Sequence, residues 1–341
     1  MPAQDLDQIV NLCKRRGFVY PSGEIYGGFR SSYDYGPLGS LMLRNVKDAW
    51  VRTMVQQRDD VVLIDAAILG APQVFEASGH LSNFSDPLVD CTVCKRRFRQ
   101  DQLDDRDCPQ SKKGCTFTDA RAFNLMFKTE LGAVSGDSGI IYLRPETAQG
   151  IFVNFLNVQK SGRMKIPFGI AQIGKAFRNE IIARQFIFRM REFEQMEMQF
   201  FVKPGTQAEW YAYWKEARIK WHNALGLGED MYRFHDHIKL AHYADAACDI
   251  EFNFPMGFKE LEGVHSRTDF DLNQHEAHSN KKLRYFDPET QESYVPYVVE
   301  TSIGLDRMFL ATLSAALQEE TLEDGSTRTV LRIPAPLAPV K

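Results

Sequence analysis

The chain has 341 residues, 44% of them hydrophobic and 25% charged, with a formal net charge of −4. That is apolar material enough for one large domain or two average ones, and a slight acidic excess argues against a protein that coats nucleic acid nonspecifically. The longest apolar runs, such as 61–69 with Asp65 inside it, fall far short of the ~20 residues of a membrane span. An opening on Gln4, Asp5, Asp7 and Gln8 has neither the basic nor the apolar stretch of a secretory signal, so no membrane association and a cytoplasmic location are expected.

Leu6, Ile9, Val10 and Cys13 recur at helical spacing and Gly17 follows, which predicts a short amphipathic helix over 5–16. Gly- and Tyr-rich turns at 26–28 and 33–39 lead into a helix over about 41–57 and an apolar strand over 61–65. Residues 86–118 form a polar insertion that carries Cys91, Cys94, Cys108 and Cys115. In the segment 144–150, Pro145 reads as a first-turn residue of another helix. Two extended runs, 164–180 and 189–202, are joined by a short polar connection, as in a long antiparallel hairpin. Trp210, Tyr213, Trp214, Ala217, Trp221 and Leu225 step by threes and fours to Gly226 and predict a helix. Two strands flank Pro255-Met256-Gly257, and a strand over 295–301 runs into an apolar helix over about 303–317. Beyond Leu331, Pro334, Pro336 and Pro339 predict a stiff tail that packs nothing by itself. Strands and helices without a regular βαβ rhythm favour an α+β layout, an antiparallel sheet with helices packed on it.

The chemistry concentrates in the hairpin. In a strand alternate side chains share a face, so Phe193, Gln195 and Glu197 point one way and Glu194, Met196 and Met198 the other. Four residues at ~3.3 Å each put the ring and the carboxylate about 13 Å apart, roughly the span from a nucleotide base to the amino group of an attached amino acid. Arg178 and Glu180 share a face on the opposing strand. Residues 300–307 place Glu300, Gly304 and Arg307 at a strand-to-helix junction, where amides and a guanidinium suit triphosphate oxygens. A solvated strand with ordinary salt bridges is the plain alternative for this segment alone.

Taken together, FRNE at 177–180, FRMREF at 188–193, GLDR at 304–307, RPETAQG at 144–150, YDYGPLG at 33–39, FNLMFKT at 123–129, ELEG at 260–263 and RTDFDL at 267–272 resemble the α2-type glycyl-tRNA synthetases of class II, in order and over nearly the whole chain. The resemblance implies a class II antiparallel sheet flanked by helices, with a catalytic domain over 1–331 and a Pro-rich segment 332–341 leading toward an anticodon-binding domain outside the sequence. It implies glycine, ATP with Mg²⁺ and tRNA(Gly) as reactants, and a homodimer formed around Gly39 to Trp50. Arg178 matches the arginine on the α-phosphate, Phe193 the ring on adenine, Glu180 the residue beside the adenine amino group and Arg307 the arginine on the γ-phosphate. Glu260, with Leu261 beside it, matches a carboxylate that approaches ATP through Mg²⁺. Asn179, Phe188, Arg189, Met190, Arg191, Glu192, Gly304, Leu305 and Asp306 complete the implied nucleotide site. Glu146, Glu197 and Glu300 match acidic residues around the glycine ammonium, Ser302 narrows that pocket, and Arg99 matches a substrate-side arginine. Phe193, Glu194, Gln195, Met196, Thr301, Ile303 and Gly304 fill out the implied glycine site. The third family motif usually reads Glu-Pro-Ser; here Glu300-Thr301-Ser302 loses the proline and keeps both contacts.

Cys91-x₂-Cys94 followed by Cys108-x₆-Cys115 has the count of a structural Cys₄ zinc site, although the second gap is longer than usual; reduced, unliganded thiols are the alternative. Residues 169–176 nearly spell a phosphate-binding P-loop, but Ala176 stands where a magnesium-ligating hydroxyl is required. Two rival functions share these motifs: a tRNA-independent paralogue that activates an amino acid for another acceptor, and a non-catalytic regulatory dimer.

Overall fold

Alternation along the strand Glu192–Val202 divides the molecule. Met196, Met198, Phe200 and Val202 enter the larger of two hydrophobic clusters, whereas Phe201 on the opposite face joins a smaller one. The computed structural model describes residues 5–103, 116–132, 139–181, 185–241 and 243–340, and its central element is a seven-stranded sheet. In chain order the strands are β1 (Val61–Ile64), β2 (Phe168–Phe177), β3 (Glu192–Val202), β4 (Tyr232–Asp236), β5 (Ala246–Phe254), β6 (Gly257–Thr268) and β7 (Tyr297–Gly304). Their spatial order is β4-β5-β6-β7-β3-β2-β1. Only β2 and β1 run parallel; every other neighbouring pair is antiparallel, which is the α+β layout expected.

The helices are α1 (Leu6–Arg16), α2 (Pro37–Val51), α3 (Pro72–Ala77), α4 (His80–Asn83), α5 (Ala148–Val153), α6 (Phe155–Gly162), α7 (Gln207–Ala224), α8 (Phe270–Ser279) and α9 (Leu305–Ala316). Ile9 of α1, Val46 and Trp50 of α2, Trp214 of α7 and Phe309 of α9 build the larger cluster on one face of the sheet. Phe152 of α5, Phe155 of α6 and Leu272 of α8 cover the Phe201 end of the other face, and the Phe193 end stays open for a ligand.

Several boundaries move for physical reasons. The first helix stops at Gly17, which adopts φ 73° as its left-handed cap. The second begins at Pro37, because proline's fixed φ and missing N–H suit a first turn. Pro145 starts no helix: Arg144 O accepts from Phe177 N at 2.9 Å and Pro145 O from Arg178 Nε at 3.0 Å, so the segment lies against the end of β2 and α5 begins only at Ala148. Ile303 and Gly304 belong to β7, paired with Met196 and Gln195. The proline-rich tail does pack: Leu337 is buried in the larger cluster and Asn45 Nδ2 donates to Ala338 O at 2.7 Å. A proline-stiffened segment has little entropy left to lose on docking, so a few apolar contacts and hydrogen bonds suffice.

In the insertion, Ser85–Asp90 pairs with Arg97–Arg99 and with Arg121–Asn124. Cys91 and Cys94 occupy the turn after the first of these strands; Cys108 and Cys115 lie outside the described residues. Among the described residues no helix is long and apolar enough to cross a membrane.

Candidate active site

At the open end of the sheet a cavity of about 130 Å³ is lined by Arg178, Glu180, Phe188, Phe193, Glu260 and Arg307 among others. The guanidinium of Arg178 lies 5.2 Å from the Phe193 ring centre and 5.4 Å from that of Phe84, and Nε donates to Pro145 O at 3.0 Å. Aromatic faces and a carbonyl hold the cation while leaving its charge available to an anion. Arg307 lies over Phe188 at 4.3 Å and reaches Glu260 Oε2 at 3.2 Å, which keeps that half-exposed carboxyl below the usual range. Burial pushes Asp306, on the cavity's inner wall, up to about 6 even though it accepts from the Tyr35 hydroxyl and from Glu194 N.

Strict alternation would put Glu260 and Glu262 on one face. A bulge separates them: Ile250 faces Glu262, Glu251 faces Glu260, and Leu261 is left without a partner. Glu260 therefore opens to the cavity, Leu261 is buried in the core, and Glu262 is buried against Arg218 Nε at 2.6 Å and His222 Nε2 at 2.7 Å of α7.

Further along the same face, three buried or half-buried carboxyls converge. Gln199 Nε2 donates to Glu197 Oε1 at 3.0 Å and to Glu300 Oε2 at 2.7 Å, and the Thr147 hydroxyl donates to Glu197. Glu300 also meets His265 Nδ1 at 2.8 Å and Arg267 Nη1 at 2.9 Å, and Arg267 is clamped by Asp271. Glu146 accepts from Gln149 Nε2 at 3.0 Å and faces His80 Nε2 at 3.6 Å. Burial would raise all three. For Glu300 the Arg267 and His265 cations outweigh it and bring the carboxyl to about 2, and His80 with Arg267 likewise holds Glu146 low. Among the described residues Glu197 makes no ion pair; burial and the charges of Glu300 and Glu146 raise it well above the carboxylate range. Of the three carboxyls, Glu197 is the one whose protonated form its surroundings favour.

The residues implied by resemblance divide by strand period. Gln195 Nε2 and Ser302 Oγ meet at 3.3 Å and line the cavity, as do Gly304, Met190 and Arg189, the last 3.8 Å from Glu180. Glu194, Met196, Thr301, Ile303, Leu261 and Leu305 turn away: Glu194 pairs with Lys47 at 3.0 Å, Thr301 is buried, and the other four lie in the core. Only their main chain can serve the site. Asn179 is held by its main chain to Leu125 O at 2.8 Å, and Glu192 pairs with Lys175 at 2.7 Å on the surface. Arg191 donates to Glu180 O and Arg30 O and faces a second cleft. Arg99 is not part of the cavity; Asp86 at 2.8 Å and Asp101 at 2.7 Å hold it. Phe84, Thr147, Gln199 and Arg267 escaped the sequence reading, and His265, read there as a structural histidine, meets Glu300. Arg267 opens the RTDFDL motif and could have been flagged, whereas nothing local marks Phe84.

The chain is similar to known proteins over nearly its whole length. The family profile described as tRNA synthetase class II core domain (G, H, P, S and T) matches residues 127–316. The chain is 54% identical to the glycine–tRNA ligase of Treponema denticola over 347 residues, covering 98% of this chain and 76% of that protein. It is 49% identical to the Chlorobaculum tepidum glycine–tRNA ligase over 379 residues, with 98% and 80% covered, and 48% identical to that of Geobacillus thermodenitrificans over 369 residues, with 99% and 79% covered. With such identity over 98–99% of its length and a class II core domain matched within it, the chain belongs to the glycine–tRNA ligase family of class II aminoacyl-tRNA synthetases.

Proposed function

We propose that ATP enters the cavity beside Phe193 and that the glycine ammonium enters the cluster of Glu146, Glu197 and Glu300. The observation that carries this reading is the shared face of Phe193 and Glu197, with Arg178 beside the ring. As a glycine–tRNA ligase the protein works in two steps. The glycine carboxylate attacks the α-phosphorus, pyrophosphate leaves, and the 3′ end of tRNA(Gly) then takes the glycyl group and releases AMP. A carboxylate is already a nucleophile, so the first step needs positioning and charge stabilisation more than a protein base. Arg178 would stabilise the α-phosphate and Arg307 the γ-phosphate. Glu260 is the carboxylate suited to Mg²⁺, which when bound neutralises phosphate charge. Its ion pair with Arg307 would open as the triphosphate arrives.

Three carboxyls attract any amino acid's ammonium, and one extra methyl changes affinity by only ~1–3 kcal/mol in a loose pocket, so rejection of alanine and serine must be steric. Ser302 and Gln195 at the pocket's mouth supply the wall. ATP–pyrophosphate exchange measured with glycine, alanine and serine tests the reading. Exchange with glycine alone is expected, comparable exchange with serine sinks the substrate assignment, and none with any amino acid favours the regulatory alternative. Exchange without charging of tRNA would favour the paralogue.

The homodimer belongs to the same proposal. On α2, Leu43, Val46 and Trp50 are used within the subunit, while Leu41 and, on the edge strand β1, Leu63 remain exposed and suit a partner. Zinc is proposed at the cysteine turn, where Cys94 N donates to Cys91 Sγ at 3.5 Å. Metal analysis of the purified protein is expected to find one zinc per chain, lost when Cys91→Ser and Cys94→Ser are combined. A metal-free protein of full activity would remove the zinc.

A further inference from the structure

Trp214, Trp221 and Leu225 carry α7 onto the larger hydrophobic cluster, and Arg218 stands in the same stripe between them. Arg218 and His222, one turn apart, are 2% and 0% exposed, and both reach Glu262 of β6, which is itself fully buried. Burial would raise the Glu262 carboxyl, but Arg218 and His222 more than offset it and hold the carboxyl low, so the core carries an anion. Stability alone does not call for such a group. Apolar side chains of similar volume in place of a buried ion pair are commonly neutral or stabilising, whereas a buried charge that must keep its partner can fix a register.

The register at stake is that of the bulge in β6. Two successive residues, Leu261 and Glu262, turn to the core, which strict alternation forbids, and Glu260 opens to the cavity. In regular alternation from Glu260, Glu262 would stand on the cavity face as a further carboxylate toward an anionic nucleotide. Glu260 is also joined twice to Arg307, whose Nη1 donates to its carbonyl at 2.9 Å and meets Oε2 at 3.2 Å. A slip at the bulge would therefore displace the carboxyl and the arginine together. We infer that Arg218, with His222, is a positioning residue for the nucleotide site: from the back of the sheet it keeps Glu262 in the core, this pins the bulge, and the bulge aims Glu260 and, through its carbonyl, Arg307. The inference rests on the reading of Glu260 and Arg307 as the groups for Mg²⁺ and the γ-phosphate, and adds to it the device that sets their position.

Two ways of breaking the Arg218–Glu262 pair separate this role from a merely structural one. Arg218→Met strands the carboxylate, whose way out of the core is the slipped register. Glu262→Met strands the cation and leaves an apolar side chain that keeps to the core, so the bulge stays. Glycine-dependent ATP–pyrophosphate exchange is measured on the full chain, per mole of folded protein, at varied ATP, Mg²⁺ and glycine. In Arg218→Met the KM for ATP and the Mg²⁺ concentration at half-maximal exchange should both rise about 10-fold, the usual effect of losing a group that orients a metal ligand, while the KM for glycine stays within about 2-fold of wild type. In Glu262→Met all three should stay within about 2-fold although Tm falls, and combining the two substitutions should restore the ATP and Mg²⁺ constants to within about 2-fold and recover Tm. Arg218→Lys keeps a cation without the planar fork; it takes the place of Arg218→Met should that variant not fold, and should shift the ATP and Mg²⁺ constants the same way by about 3-fold. The proposal is overturned if those constants stay at wild-type values when the carboxylate is stranded, if Glu262→Met raises them equally, if the double variant does not recover them, or if the KM for glycine rises alongside. Glu260→Gln checks the underlying reading, since it should raise the Mg²⁺ requirement. A wild-type requirement in that variant would strike the assignment of Glu260 instead, so the two failures are separable.

Discussion

Replacing Arg178 by Ala should lower glycine-dependent ATP–pyrophosphate exchange by about 10²- to 10³-fold, the cost of removing one preorganised charge from a developing anionic centre. Two rings and a carbonyl orient the guanidinium before substrate arrives, so little reorganisation accompanies the reaction. The loss should fall mainly on kcat, because the charge it meets grows in the transition state. Arg178→Lys should recover little, since an ammonium keeps the charge but not the planar fork stacked between rings. Phe84 makes the prediction sharper. Phe84→Leu removes one of the rings without touching substrate, and it should cost a few-fold in kcat at nearly constant KM for ATP, with Phe84→Tyr close to wild type. Steady-state exchange kinetics check all four variants, and an unchanged rate in Arg178→Ala would remove its assigned role.

Glycine should bind with release of a proton. Glu197, buried beside Glu300 and Glu146, has its carboxyl raised well above the usual range. In the empty enzyme protonation of this group therefore stabilises the fold. That contribution is fully present below the ordinary carboxylate pKa and is lost as pH rises through the raised value. A bound ammonium reverses the preference by favouring the ionised form. Between the ordinary and the raised pKa, glycine affinity should rise roughly tenfold per pH unit and level off above. Glu197→Gln should abolish that slope and weaken binding about 10- to 100-fold on the plateau, the ~1.5–3 kcal/mol of a hydrogen bond to a charged group. Calorimetry in buffers of different ionisation enthalpy reads the proton directly. A flat pH profile in the wild type, or the same slope in Glu197→Gln, would contradict the assignment.

Both predictions use residues that lie far apart in the chain, and they differ in how visible they were beforehand. The facing of Phe193, Gln195 and Glu197 follows from period-two alternation in one uninterrupted strand, and the adjacency of Arg178 follows from a hairpin whose two arms are both extended. Local pattern is sufficient there because each step involves only neighbours along or across a strand. The same rule also shows why Glu194, Met196, Thr301 and Ile303, taken with their motifs, are core or back-face residues: a motif is contiguous in sequence, but a face holds only every second residue of it.

What the sequence by itself determined was the antiparallel sheet, the helix ended by Gly17 and the side chains shared along β3, because period and punctuation encode these locally, while the family followed from the resemblance of its ordered motifs. Tertiary structure alone decided the rest. One unpaired residue, Leu261, sends Glu260 to the cavity and Glu262 to a buried pair with Arg218. Packing brings Phe84 under Arg178 and Arg267 into the carboxylate cluster, and it seats Leu337 in the core. A bulge, a ring under a guanidinium and a cation among acids depend on what a distant segment places opposite them, and no local spacing carries that information.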